Sequence, residues 1–246
     1  MSKFEIQDNE YAFPYHYLPE IKCNTVIKKK QLLWAHEYMS YIKYVADRIK
    51  ENGYNNVLDV GCGDGRLCRM IHEMTPDAII RGIDLSESAI KWARVFNSDI
   101  DFEVTNILDE RKQWEAITCI ETIEHIPDDQ LVAFFRGLSN ALQNDGTIYI
   151  TVPSDNVPVS KKHYRHYNLE LLEKQVKDAE CGLRIVKKEY IVPNVTPWYP
   201  IIMRLGSNKY WDLHFLDKIL WRRLWRNGLV ASSKTGSHCY AELKHG

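Results

Sequence analysis

The sequence predicts an α/β fold built on a doubly wound parallel sheet with helices on both faces. Three observations carry this reading. Short apolar runs alternate strictly with amphipathic segments across residues 54–192. The first run, "VLDV", opens into a glycine-rich turn, "GCGDG", ahead of a helical pattern. The second run ends in an acid, Asp84, about 20 residues past those glycines, where such folds place a ribose-binding carboxylate. Alternation of this kind means parallel pairing through crossover helices. The ligand then sits beyond the carboxyl ends of the strands.

Residues 1–27 are polar and aromatic, and Pro14 and Pro19 break any long element there. "KKKQLLWAHEYMSYIKYVADRIKENG" (28–53) reads as one helix, with Leu32, Leu33, Tyr38, Ile42, Val45 and Ile49 at helical spacing and Gly53 as its stop. The first core strand is "NVLDV" (56–60), followed by the helix "GRLCRMIHEM". "AIIRGID" (78–84) is the second strand, and "SESAIKWARVFN" a helix with Ser86 as N-cap. "IDFEV" (100–104) and "AITCI" (116–120) are the third and fourth strands, with the helix "DQLVAFFRGLSNALQ" after them. "GTIYITV" (146–152) is the fifth, before a helix capped by Asn168. "RIVKKEYIV" (184–192) and, much later, "SHCYAEL" (237–243) complete seven strands.

Composition bounds the function. A chain of 246 residues with 45% hydrophobic and 26% charged residues can bury a large core without staples. A net charge of −1 gives no global field toward nucleic acid. The six cysteines form no C-x-x-C pair, which argues against a structural zinc site and a disulfide framework. The opening residues lack the apolar stretch of a signal peptide, and no run is long enough to span a bilayer. A cytoplasmic protein, reduced and without membrane spans, is the expectation.

"VLDVGCGDGR" (57–66) carries Asp59, Gly61, Gly63 and Gly65. Glycines let the backbone approach a ligand closely, and the helix N-terminus beyond is electropositive. A tight structural turn would use the same glycines; Asp84 at the end of the second strand favours cofactor binding. With this D-x-G-x-G-x-G spacing the sequence resembles class I S-adenosylmethionine-dependent methyltransferases over roughly residues 54–192. The resemblance implies a seven-stranded, mostly parallel Rossmann-like sheet, with an antiparallel last strand beside strand six and an inserted cap between strands six and seven. It also implies that Asp59 and Gly61, Cys62, Gly63 and Gly65 line the methionine part of S-adenosylmethionine. Asp84 and Leu85 would meet its ribose, Asn106 and Ile107 its adenine, and Glu121 its reacting end. Members of the family often carry Asp where this chain has Asn106.

"ETIEHIPDD" (121–129) places Glu121, Glu124 and His125 where the fourth strand ends. Methyl transfer to oxygen requires alignment of the acceptor and removal of its proton, by a base or by an ion. The segment resembles the E-x-x-E-H of two metal-using O-methyltransferase groups, one acting in ubiquinone biosynthesis and one on the 2′-hydroxyl of small RNAs. That resemblance implies a divalent cation, Mg²⁺ or another, on Glu121, Glu124, His125 and a later histidine. In "KKHYRHYNLELLEK" that histidine is His163, with His166 a close second. Two other readings remain: metal-free acid–base work by His125, Glu124 and His163, and capping of the next helix without chemistry.

Residues 193–236 hold four of the seven tryptophans, Trp198, Trp211, Trp221 and Trp225. They also carry Arg204, Lys209, Lys218, Arg222, Arg223, Arg226 and Lys234. Phe215, Ile219, Trp221, Leu224 and Trp225 with the arginines suggest an amphipathic helix. It either packs on the core or contacts a membrane surface, a lipid-linked substrate, sugars or bases. Trp221 and Trp225 are expected to recognise the acceptor.

The expected organisation is an N-terminal lid and helix (1–52), a cofactor-binding core (53–192), the aromatic basic insertion (193–236) and a last core strand (237–246). The expected activity is O-methylation of a small hydroxylated acceptor, a sugar of a glycan pathway or a quinone-like or lipid-linked compound. An RNA 2′-O-methyltransferase and a catalytically silent cofactor-binding scaffold are the rivals. The neutral net charge makes nucleic acid the lesser partner.

Overall fold

The computed structural model describes residues 2–22, 25–27, 34–193, 201, 205–206, 211 and 213–246. Leu32, Leu33, Trp198, Arg204 and Lys209, all used in the sequence reading, lie outside the described residues.

The chain begins with helix α1 (Lys3–Glu10), a 3₁₀ turn at Tyr15–Tyr17 and a hairpin of β1 (Glu20–Lys22) and β2 (Thr25–Ile27). None of these is visible in the sequence pattern. Helix α2 (Ala35–Asn52) follows and is closed by Gly53. Then come β3 (Asn56–Val60), α3 (Arg66–Met74), β4 (Ile79–Asp84), α4 (Glu87–Phe96), β5 (Asp101–Val104) and β6 (Trp114–Ile120). Helix α5 (Leu131–Ala141), β7 (Leu142–Pro153), α6 (Leu169–Asp178) and β8 (Leu183–Pro193) complete the regular alternation. Beyond lie α7 (His214–Leu224), the two-residue β9 (Val230–Ala231) and β10 (Gly236–His245). Both expected N-caps form: the Ser86 hydroxyl accepts from Ala89 N at 3.0 Å and the Asn168 side chain from Leu171 N at 2.8 Å.

The sheet runs β5-β4-β3-β6-β7-β10-β8-β9. The first five strands in that order are parallel, and β10 is antiparallel to both β7 and β8. The expected antiparallel last strand is therefore present. The sheet has eight strands rather than seven, because β9 adds to the free edge of β8. Two residues are too few to show a strand period in sequence.

Side chains alternate across the sheet as a period of two requires. Val57, Ile80, Ala116, Tyr149 and Tyr240 face α2, α3 and α4, where Ile42, Ile49, Ile71 and Ile90 meet them. Leu58, Ile83, Ile117, Ile148 and Ala241 face α5 and α6 through Phe135, Leu138, Leu172 and Val176. Both faces are covered, so the ligand can enter only at a strand end.

The insertion corrects one expectation. Trp221 is 6% exposed and packs with Leu220 and Leu224 on the inner face of α7. Its ring lies 6.4 Å from His36 and 5.6 Å from Trp225. Trp225 is half-buried against the same core. Helical periodicity turns Leu220, Trp221 and Leu224 inward together, so Trp221 serves the core rather than an acceptor.

Candidate active site

Strand β3 delivers Asp59 and the glycine turn to the carboxyl edge of the sheet. Gly61 N and Cys62 N donate to Ile83 O at 2.8 and 3.0 Å, which ties the turn to β4. Gly61 and Gly63 adopt φ of 74° and 56°, and a Cβ on either would collide with Thr122 or Tyr11. Only glycine meets both demands. Asp59 is buried and accepts from Thr118 Oγ1 at 2.6 Å and Cys68 Sγ at 3.3 Å. Burial outweighs those bonds and pushes its carboxyl up to about 6. Asp84 accepts from Gly63 N at 2.9 Å and Ser86 N at 2.8 Å, yet burial still raises its pKa.

A cavity of about 730 Å³ opens between this turn and the end of β6. Asp59, Gly61, Cys62, Gly63, Glu121, Glu124, His125 and His163 all line it, so the structure joins the two sequence motifs in one space. Gly65, Asp84, Leu85, Asn106 and Ile107 are not in its lining. Gly65 is backed by Phe102 and Asn97, Leu85 is exposed, and Ile107 is buried in the core. The Asn106 side chain accepts from Leu108 N at 3.1 Å and caps a turn.

Glu121 holds a left-handed φ of 53° just past β6. Such a backbone costs about 1–3 kcal/mol for a residue with a side chain, and it turns the carboxylate into the cavity. Thr151 Oγ1 donates to Glu121 Oε1 at 3.1 Å, and His238 Nε2 lies 3.2 Å from Glu121 Oε2. His238 Nδ1 is 2.9 Å from Ser237 Oγ and 3.5 Å from Glu37 Oε1. Burial pulls the His238 pKa down, but the carboxylates of Glu121 and Glu37 outweigh it, so the net shift is upward.

Three residues later Glu124 is fully buried, and among the described residues neither carboxylate oxygen has a hydrogen-bond partner. Burial, then the charge of Glu121, raises its pKa strongly. His125 Nε2 lies 3.7 Å from Glu124 Oε1, and its Nδ1 is 3.3 Å from Lys162 O. His163 Nδ1 is 2.8 Å from His166 Nε2, and His166 Nδ1 is 2.7 Å from Val157 O. The carbonyl of Val157 can only accept, so His166 carries its proton on Nδ1 and accepts on Nε2. His163 then donates from Nδ1 and keeps the Nε2 lone pair free. Donor atoms of Glu124, His125 and His163 lie within 4.8 Å of one another. The structure thus brings three of the four expected metal ligands together, while Glu121 turns instead to His238 and Thr151. His166 acts behind His163.

These groups imply a pH dependence of stability in chelator-treated protein. Burial, then Lys162, lowers His125 to about 4, and burial, then His125, lowers His163 to about 3. The unfolded chain binds protons on both near pH 6.5. Below that pH it binds more protons than the folded chain, so stability is lost as pH falls from 6.5 toward about 3. Glu124 has the opposite sign: its contribution is full below the unfolded value near 4.3 and is lost as pH rises through its raised folded pKa. A His125→Asn/His163→Asn variant should flatten the acid limb of a melting-temperature profile. An unchanged limb would refute this assignment.

The N-terminal segment covers the cavity. Ser86 Oγ donates to Asp8, Trp92 Nε1 donates to Tyr11 O at 2.8 Å, and His16 Nδ1 is 3.1 Å from Asp64 Oδ1. On the other bank Lys162 Nζ pairs with Glu10 at 2.7 Å, and Lys3 Nζ donates to Lys161 O at 3.1 Å. Tyr11 lies over Gly63, and His16 stacks on Tyr38 at 4.7 Å. The stretch expected as a lid contributes Tyr11 and His16 to the lining, whereas sequence reasoning missed Glu37, Tyr38, Tyr41, Ser237 and His238. One signal existed for the last two. An antiparallel strand starts where its parallel neighbours end, so the first residues of β10 reach the carboxyl edge; His238 pairs with Pro153.

Comparison with known proteins bears on the family and the fold. The family model for a methyltransferase domain matches residues 30–221. A ubiquinone biosynthesis O-methyltransferase of Neisseria meningitidis serogroup C is 31% identical over 119 residues, 45% of this chain and 47% of that protein. The chain thus spans about half the length of the curated relatives it matches. Among solved structures, the magnesium protoporphyrin IX methyltransferase of Synechocystis with bound SAM superposes with a TM-score of 0.60 at 12% identity, covering 100% of this chain and 98% of that one. The methyltransferase domain of bacterial CtHen1-C gives 0.59 at 14% identity, covering 85% and 98%. At these identities the structural matches speak for the fold.

Proposed function

The chain belongs to the methyltransferase-domain family, and from that premise we propose that it is an S-adenosylmethionine-dependent O-methyltransferase acting on a hydroxyl of a small-molecule acceptor, assisted by a divalent cation. The carrying observation is the buried carboxylate of Glu124, without a hydrogen-bond partner among the described residues, beside the His163 Nε2 lone pair and His125. Unpaired buried carboxylates are costly, and a cation offsets that cost. Oxygen and imidazole donors without a thiolate suit Mg²⁺ or Mn²⁺ better than structural zinc.

S-adenosylmethionine supplies a methyl group on a positively charged sulfur. The cavity floor at Asp59, Gly61, Cys62 and Gly63 fits its methionine end, since Asp59 is buried and the glycine backbone leaves the space open. Glu124, His125 and His163 would hold the cation, which lowers the pKa of a hydroxyl beside it. The acceptor oxygen bonds to the methyl carbon, the carbon–sulfur bond breaks, and its electron pair stays on sulfur. The hydroxyl proton leaves toward the carboxylate of Glu121, which lines the cavity outside the cation cluster. His125 and His163 are neutral at pH 7, as imidazole ligands of a cation must be, because burial depresses both. Glu121, fixed by Thr151 and His238, completes the wall on which the acceptor is aligned. The N-terminal segment keeps water from the reacting atoms. A sugar of a glycan pathway or a quinone-like ring is the acceptor class we favour, because Tyr38 and Tyr41 give the cavity flat faces beside the carboxylates.

The test is turnover with exhaustive chelation, then Mg²⁺ or Mn²⁺ return. Activity should vanish and recover. Full activity after chelation would remove the cation from the reading. Cofactor binding is checked separately: S-adenosylhomocysteine at 100 times its Kd should stabilise the fold by about 2.7 kcal/mol. That is roughly a 5–10 °C rise in melting temperature for a chain of this size. Asp84→Ala should shrink the rise. No rise in wild type would end the methyl-transfer proposal.

A further inference from the structure

The strongest feature outside the cavity is the outer surface of the insertion. Large apolar side chains are exposed there in concentration: Ile201, Leu205, Trp211, Leu213, Phe215 and Ile219. Leu205 is 61% exposed, Phe215 58% and Ile219 56%. Helical geometry sorts α7 into two faces. Asp217, Leu220, Trp221 and Leu224 point inward. Phe215, Lys218, Ile219, Arg222 and Arg223 recur at three- and four-residue steps on the opposite face, and all are exposed. Arg226 is exposed one turn further on. The only carboxylate of α7, Asp217, is buried on the inner face. The outer face therefore joins bare apolar groups to four cations in a chain whose net charge is −1.

We propose that this face docks on an anionic lipid surface, with Phe215, Ile219 and Trp211 entering the interface and Lys218, Arg222, Arg223 and Arg226 meeting the head groups. Charge complementarity selects this occupant: a negatively charged bilayer takes up the apolar groups and pairs the cations at the same time. The docking is peripheral, because no helix among the described residues is long and apolar enough to cross a membrane. The platform is rigid enough for the task. Trp221 and Leu224 anchor α7 in the core, and Lys43 Nζ sits 5.3 Å over the Trp225 ring. The inner face of α7 meets α2, the helix that carries Glu37, Tyr38 and Tyr41 of the cavity wall.

The experiment is co-sedimentation of the full chain with vesicles of phosphatidylcholine alone or mixed with phosphatidylglycerol. Binding is expected to the mixed vesicles and to fall with added salt. Each cation near such a surface is worth roughly fivefold in partitioning, so Arg222→Glu/Arg223→Glu should cost about 25-fold or more. Phe215→Ser/Ile219→Ser should lower it as well while the melting temperature stays unchanged, since both side chains are exposed. If the apolar variant fails to fold, the charge variant alone decides. Absence of binding, equal binding to neutral vesicles, or unchanged binding by the charge variant would overturn the proposal. So would full competition by inorganic phosphate, which would assign the cations to free anions. Self-association abolished by Phe215→Ser/Ile219→Ser, without vesicle binding, would give the face to a second copy. Vesicle binding is read without methyl donor or acceptor, so its failure leaves the proposed reaction untouched.

Discussion

Replacing His125 by Ala is expected to lower methyl transfer by about 10²–10⁴-fold, the range for a lost proton-handling group. Glu124→Gln should fall in the same range. Glu124 is buried beside His125 and His163, and the amide would keep its shape while losing its charge. Affinity for S-adenosylhomocysteine should be unchanged in both, because the glycine turn lies on the other wall of the cavity. Metal titration separates the roles. A ligand variant should need far more Mn²⁺ for half-maximal rate, whereas a variant of a pure base would show a lower rate at the same requirement. Turnover at the wild-type rate in either variant would remove the cluster from the chemistry.

Trp221→Ala should cost about 3–5 kcal/mol of stability, as large aromatic truncations in cores do. Its ring is nearly enclosed among Leu224, Leu229 and the face of α2. Trp211→Ala is the control. Its ring is 51% exposed, so the change should stay within about 0.5 kcal/mol. Denaturant melts of the two variants make the comparison. Equal, small losses would mean that α7 is not an integral part of the core.

The central sheet was legible because burial on both faces leaves a simple signature: short apolar runs separated by helical periods. The N-caps at Ser86 and Asn168 and the turn at Gly61–Gly65 were legible for a similar reason, since each depends on its own local backbone. Helix α1 was not. It buries no residue of its own and is held by bonds to Ser86 and Lys162, far away in sequence. The hairpin β1–β2 has strands of three residues, too short for a period. At the site, the Glu124–His125 pair is local in sequence, and the fold brings its donor atoms within 4.8 Å of those of His163. The partner of Glu121 could not be read in the same way. His238 arrives on a strand from the far side of the insertion, and its Nε2 competes for the carboxylate that the motif had assigned to an ion.

The place of β10 has a consequence for how the protein is made. β10 follows the insertion in sequence but lies between β7 and β8 in the sheet. A nascent chain elongated only as far as residue 235 holds β7 and β8 with a vacant slot between them. Each presents an unpaired backbone edge along most of its length, the kind of edge that recruits strands from other chains. Closing the slot requires contacts distant in sequence, which form slowly. Synthesis therefore passes through an interval of aggregation risk that ends only when Gly236–His245 is available to zip the two edges together.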